Sequence, residues 1–152
     1  RAEPPRAPRI LIRDIGRRLP MGVGAGSIAF LAGLPEARAR DLVDRNRERF
    51  GEFGTLAADQ VWASVEEART LGFGTTREQV ARGVVGVGLA ITGQDGIPRA
   101  ALTVVGTPDD LTDARLPSLR PALHDLVVLD SHRPLSPAAE GHETRISARR
   151  PF

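Results

Sequence analysis

The chain has 152 residues and a mass of 16.3 kDa, the size of one domain rather than of an enzyme joined to a separate binding domain. Hydrophobic residues at 41% and charged residues at 26% exclude wholesale disorder, and the absence of cysteine excludes disulfides, thiol catalysis and Cys-ligated metals. All 21 Lys+Arg positions are arginine and tyrosine is also absent, so the sequence pI near 10.7 reflects missing titratable groups, and a net charge of +2 does not by itself support a nucleic-acid surface.

Residues 1–8 (RAEPPRAP) are too rich in proline for regular structure and read as a linker or N-terminal arm. Residues 9–16 (RILIRDIG) read as a short strand ended by Gly16. The small-residue run from Gly24 (GAGSIAFLAG) predicts a tight turn feeding a helix through about Gly33, and Pro35 suits the first position of the next helix. That second helix is expected to reach about Phe50, with Ala39, Leu42, Val43 and Phe50 on its inner face. Asp41 and Arg45 stand at i, i+4, and the charge run Arg45–Arg49 reads as a solvated face rather than a phosphate site.

A third helix over about 57–71 places Val61, Val65 and Ala68 on one stripe and stops at Gly72. A strand near 73–76 follows. The apolar runs 84–92 and 97–106, separated by GQDG (93–96), predict an antiparallel hairpin. The last helix, about 115–130, carries Leu116, Leu119, Leu123, Leu126 and Val127. Residues 131–152 are polar without periodicity and read as an arm or flexible tail. No apolar run approaches the roughly 18 residues of a membrane span, and no signal-peptide pattern opens the chain, so the expected location is cytoplasmic, with no membrane partner. This element order predicts an α+β domain with a central antiparallel sheet flanked by helices.

Catalytic constellations are not legible. His124, His132 and His142 show no metal spacing, so no metal site is expected. Asp109–Asp110 in TPDDLTD fit a turn and a helix cap better than a carboxylate pair. Thr76, Glu78 and Arg82 are the nearest approach to a reactive cluster. GVGAGS (22–27) lacks the spacing of a dinucleotide fingerprint, and no cofactor is expected. Its glycines would still let the backbone approach a ligand, with helical N–H groups aimed at it.

The hairpin adds to this. Its first strand sorts Val85, Val87, Leu89 and Ile91 onto one face and Val84, Gly86, Gly88 and Ala90 onto the other. Its second strand opposes Leu102 and Val104 to Ala101, Thr103 and Val105. The bulky face would bury against helices. The small face would either floor a pocket roofed by GVGAGS or admit a closely packed helix.

The string RRLPMGVGAGSIAFLAGLPEA resembles the opening of the effector-binding domain of IclR-type bacterial transcriptional regulators. LGFGTTREQVARGVVGVGLAIT and DGIPRAALTVVGTPDDLT resemble its later strand segments, in the same order, and the likeness spans about residues 9–130. It implies a GAF/profilin-like domain that binds a small-molecule effector, assembles as a homodimer or homotetramer, and performs no chemistry. Operator DNA would be read only through a winged helix-turn-helix domain that is absent from these residues. The family's opening strands are missing as well, so a fragment, a chain trimmed at its N-terminus or a degenerate member is expected.

Carried over position by position, the ligand-binding set is Met21, the backbone donors Gly24, Ala25, Gly26 and Ser27, and the side chains at Thr76, Gly86, Thr103 and Val105. Thr76 stands where small-oxoacid-binding members carry an acid, Gly86 where they carry cysteine, and Thr103 and Val105 where they carry two serines. Three of these four positions have lost a polar or charged group, or its volume. The effector expected is therefore larger or more apolar than a two- or three-carbon oxoacid, such as an aromatic or aliphatic acid. The alternative is a degenerate scaffold or interaction domain that no longer senses a ligand.

Overall fold

The computed structural model describes residues 18–112, 114–116, 118, 119, 121, 123 and 124. The predicted arm 1–8, strand 9–16 and tail 131–152 lie outside the described residues, as do Leu126 and Val127. Within them the order is α1 (Ala25–Ala32), α2 (Glu36–Asn46), a 3-10 turn (Arg47–Phe53), α3 (Ala58–Leu71), β1 (Gly74–Arg77), β2 (Val85–Thr92) and β3 (Pro98–Gly106).

The chain turns into α1 through Gly22 and Gly24, whose φ values of +114° and +87° fall where L side chains are strained. The helix that follows is apolar all round, and Ala25, Gly26, Ile28, Ala29 and Leu31 are all buried. Such a helix belongs between two layers rather than at a surface. On one side Ile28 and Leu31 join Ala39 and Val43 of α2, Phe50 of the 3-10 turn, and Val61, Val65 and Ala68 of α3. On the other side α1 lies on the sheet.

The second helix starts one residue later than predicted, with Pro35 as its cap and Glu36 as its first helical residue. It ends sooner, because α-helical geometry stops at Asn46, whose side-chain amide donates to the Leu42 carbonyl at 2.8 Å. The tighter 3-10 winding of 47–53 then carries Phe50 into complete burial. The arginines of this region face solvent. Arg40, Arg45 and Arg47 pair with Glu36, Asp41 and Asp44 at 2.9, 2.9 and 2.7 Å, exposed pairs each worth at most about 1 kcal/mol. The third helix ends at Gly72, in the left-handed conformation at φ +77°, its N–H returning to the Ala68 carbonyl at 2.8 Å.

The three strands form one antiparallel sheet in the order β1-β2-β3. Thr76, Gly86 and Val105 lie side by side across it, and Gly74, Gly88 and Thr103 form the next row. Directly opposed residues share a face, so both rows present the small residues of the hairpin on the α1 side. The opposite face carries Val85, Val87 and Leu89, with Leu102 and Val104 beside them. It buries against Phe73, Leu111, Leu116 and Leu123. Leu116, Leu119 and Leu123 are helical, as the leucine spacing predicts.

Candidate functional site

The N-terminal end of α1 meets the small-residue face of the sheet. Backbone approach is close there. A β-carbon on Gly88 would stand 2.5 Å from the carbonyl of Ala25 and from the nitrogen of Gly26. One on Gly74 would collide with the same Ala25 carbonyl, and one on Gly26 with Thr103 Oγ1. The middle of the small-residue face is thus a helix contact, filled by the first turn of α1.

Open space remains beside that contact. A groove of about 320 Å³ runs along α1, lined by Leu19, Pro20, Met21, Val23, Gly26, Ser27, Phe30 and Ala101. It unites Met21, Gly26 and Ser27 of the predicted set. Ser27 Oγ accepts from the Gly22 N–H at 2.6 Å and donates to Met21 Sδ at 3.2 Å, which orders this wall. The remaining predicted residues gather just past the helix end. A β-carbon on Gly86 would lie 3.0 Å from Thr76 Oγ1, 3.2 Å from Ala25 Cβ and 3.9 Å from Thr103 Cγ2. Val105 pairs with Gly86 and is 38% exposed.

No side chain caps α1 in the usual N-cap manner. Among the described residues, none accepts from the N–H groups of Ala25, Gly26 or Ser27. The Gly24 N–H is occupied, by Gln79 Oε1 at 2.7 Å. These donors carry the partial positive charge of a helix start, so the arrangement favours an anionic oxygen in front of them.

Sequence reasoning did not single out Phe30 or Gln79, and it placed Ala101 on the small-residue face without assigning it to the ligand-binding set. Phe30 stands four residues after Gly26 and so shares its helix face, a period that was available to find it. Ala101 lies one step from Thr103 on the same sheet face. Gln79 carries no such signal, since its contact spans 55 positions of sequence.

The other candidates have structural duties. Glu78 accepts from the Gly83 N–H at 3.0 Å and closes the loop that contains Arg82. Asp110 accepts from Thr107 Oγ1 at 2.7 Å and from the Thr107 N–H at 3.3 Å. These bonds, with the nearby charge of Arg115, hold its carboxyl below the ordinary carboxylate range. His124 is exposed. Among the described residues no group of three or more His, Asp or Glu side chains is arranged to hold a metal ion. A larger groove, about 470 Å³, lies between α2 and α3 around Trp62. Its arginines already serve neighbours, Arg47 pairing with Asp44 and Arg40 stacking 3.9 Å from the Trp62 ring centre.

Residues 1–128 match the family model described as the bacterial transcriptional regulator IclR C-terminal domain. The chain belongs to the IclR C-terminal domain family. No curated protein sequence matches it. Among solved structures, it resembles the Agobacterium tumefaciens repressor BlcR at 20% identity and a TM-score of 0.67, over 80% of this chain and 50% of that one. It also resembles the C-terminal domain of the E. coli regulator KdgR, at 19% identity and a TM-score of 0.64, over 75% of this chain and 70% of that one. A third similar structure is the inducer-binding domain of Acinetobacter PobR, a double mutant in complex with 3-hydroxybenzoic acid. There the identity is 15% and the TM-score 0.60, over 76% of this chain and 67% of that one.

This chain spans about half the length of the first regulator chains it matches. At these identities the likeness shows the fold, which is the GAF/profilin-like α+β fold of IclR C-terminal domains. The family is one of transcriptional regulators, and this is their effector-binding domain. No helix among the described residues is long and apolar enough to cross a membrane.

Proposed function

We propose that this IclR-type domain senses a small organic acid at the N-terminal end of α1 and acts as a cytoplasmic homodimer or homotetramer, without chemistry of its own. DNA would be bound only through a winged helix-turn-helix domain outside these residues. Effector binding would change DNA affinity through a coupling free energy between the two sites. The observation that carries this reading is the set of N–H donors at Ala25, Gly26 and Ser27, from which no described residue accepts, at a helix end whose Ala25 lies against Gly86 and which borders the apolar groove of Leu19, Met21 and Phe30.

The side chains around that end favour an aromatic or aliphatic acid. Thr76 and Thr103 supply hydroxyls, whereas Gly86 and Val105 offer neither charge nor hydrogen bonds. A two-carbon oxoacid would leave the apolar wall unused. The PobR domain with its hydroxybenzoate supports the class by analogy of fold. A thermal-shift panel tests it: 3-hydroxybenzoate or benzoate is expected to raise Tm, by an amount set by concentration over Kd, and glyoxylate and pyruvate are not. Stabilisation by the oxoacids alone would refute it.

A second reading has its own support. The tight seating of Ala25 on Gly74 and Gly88 is what a scaffold that no longer senses a ligand would show. Native mass spectrometry distinguishes the two, since a sensor co-purifies with or captures an acid and a scaffold reports oligomers alone.

A further inference from the structure

The loop between β1 and β2, residues 78–83, folds back over the end of α1. Its two ends are tied together. The Glu78 N–H donates to the Val84 carbonyl at 2.7 Å, and the Glu78 carboxylate accepts from the Gly83 N–H at 3.0 Å. Glu78 holds a φ of +52°, a strained value for a residue with a side chain. The loop is fastened to the helix by two side chains. Gln79 Oε1 accepts from the Gly24 N–H at 2.7 Å. Val80 stands beside Gly24, its Cγ2 3.9 Å from where a β-carbon there would lie, and stays 48% exposed.

This fastening is weak by construction. Among the described residues, the Gln79 bond and the half-exposed Val80 are what fasten the loop to the helix, and a segment with few buried apolar contacts opens at low cost. The bond is also of the replaceable kind. Gln79 presents a neutral amide oxygen to the positive end of a helix, where a carboxylate makes a charge-assisted bond roughly twice as strong.

We propose that residues 78–83 are an autoinhibitory strap, fastened by Gln79 to Gly24, and that a carboxylate effector binds by taking the place of Gln79 on that N–H. The proposal rests on reading this end of α1 as the effector site. While the strap is closed, the apparent affinity is lowered by the fraction of molecules that are open. The neutral side chain is what keeps the strap releasable.

Two variants of the full chain test it, Gln79→Ala and Gln79→Glu. The first readout needs no ligand: the initial rate of tryptic cleavage after Arg82, an exposed strap residue, followed by mass spectrometry. Cleavage follows the open population, so Gln79→Ala is expected to cut at least about threefold faster than the parent and Gln79→Glu more slowly. An unchanged rate in Gln79→Ala overturns the strap, whatever the effector. The second readout is calorimetric titration with 3-hydroxybenzoate. Gln79→Ala is expected to bind about three- to tenfold more tightly than the parent and Gln79→Glu more weakly. Equal affinities in all three proteins overturn displacement. Binding to none of them, with the Arg82 response intact, overturns the carboxylate-sensing reading and displacement with it.

Discussion

Gly88→Ala adds one methyl group where three backbone atoms of α1 press against the sheet. The new carbon would stand 2.5 Å from the Ala25 carbonyl carbon and oxygen and from the Gly26 nitrogen, about 1 Å inside carbon contact distance. All three atoms are backbone of the first turn of α1, so no rotamer change relieves the clash and the helix must lift off the sheet. Overpacking of this kind costs about 1–3 kcal/mol. The lift also loosens the contacts of Ala25 with Gly74 and of Gly26 with Thr103, placing the cost toward the upper end. Replacing glycine with alanine returns about 0.4–1 kcal/mol through the unfolded chain. The net loss is about 2 kcal/mol, or a Tm lower by roughly 4–8 °C for a chain of this size. Calorimetry of Gly88→Ala, with Gly86→Ala and Gly51→Ala as controls, measures it. Gly86 meets the rotatable Thr76 hydroxyl first, at 3.0 Å, and Gly51 meets nothing within 4 Å, so both controls are expected within about 1 kcal/mol of the parent. A Gly88→Ala protein as stable as Gly86→Ala would refute the close seating of α1.

Phe50→Ala removes a fully buried ring from the helical cluster, and is expected to cost about 3–5 kcal/mol and lower Tm by at least about 6 °C. A smaller loss would show that the 3-10 turn does not hold Phe50 in the core. For Asp110, the folded carboxyl titrates below its unfolded value, so its contribution is complete above about pH 4 and is lost as pH falls through the lower folded pKa. The Thr107 amide resonance should therefore hold its position from neutral pH down to about 4 and move only below it. Asp110→Asn should abolish that titration, and an inflection above pH 4 would contradict the bonding described.

The elements with a complete local signal were read correctly from the chain. The stripe Val61, Val65, Ala68 and the stop at Gly72 define α3 without help from neighbours. GQDG between two alternating apolar runs likewise defines the hairpin, whose Gly96 holds φ +74°. The end of α2 was misplaced for a physical reason. Phe50 is buried whether the chain reaches it as α-helix or as 3-10 turn, so burial periodicity does not distinguish the two. The candidate site was legible only in its composition. Small residues at 86, 88, 101 and 103 were visible as one face, but the same glycines suit a pocket floor and a helix seat.

Residue pattern alone thus settled the α+β class, the inner face of α3 and of the sheet, and the solvated pairing of the arginines, since each depends on neighbours within a turn or a strand. It also explained the high pI, which follows from the absence of lysine, tyrosine and cysteine at a net charge of only +2. Three-dimensional packing decided that α1 fills the middle of the small-residue face, that a groove survives beside Met21 and Ser27, and that Gln79 occupies the Gly24 N–H. Those outcomes depend on where a helix comes to rest on a sheet more than forty residues later in the chain, a distance over which no local periodicity carries information.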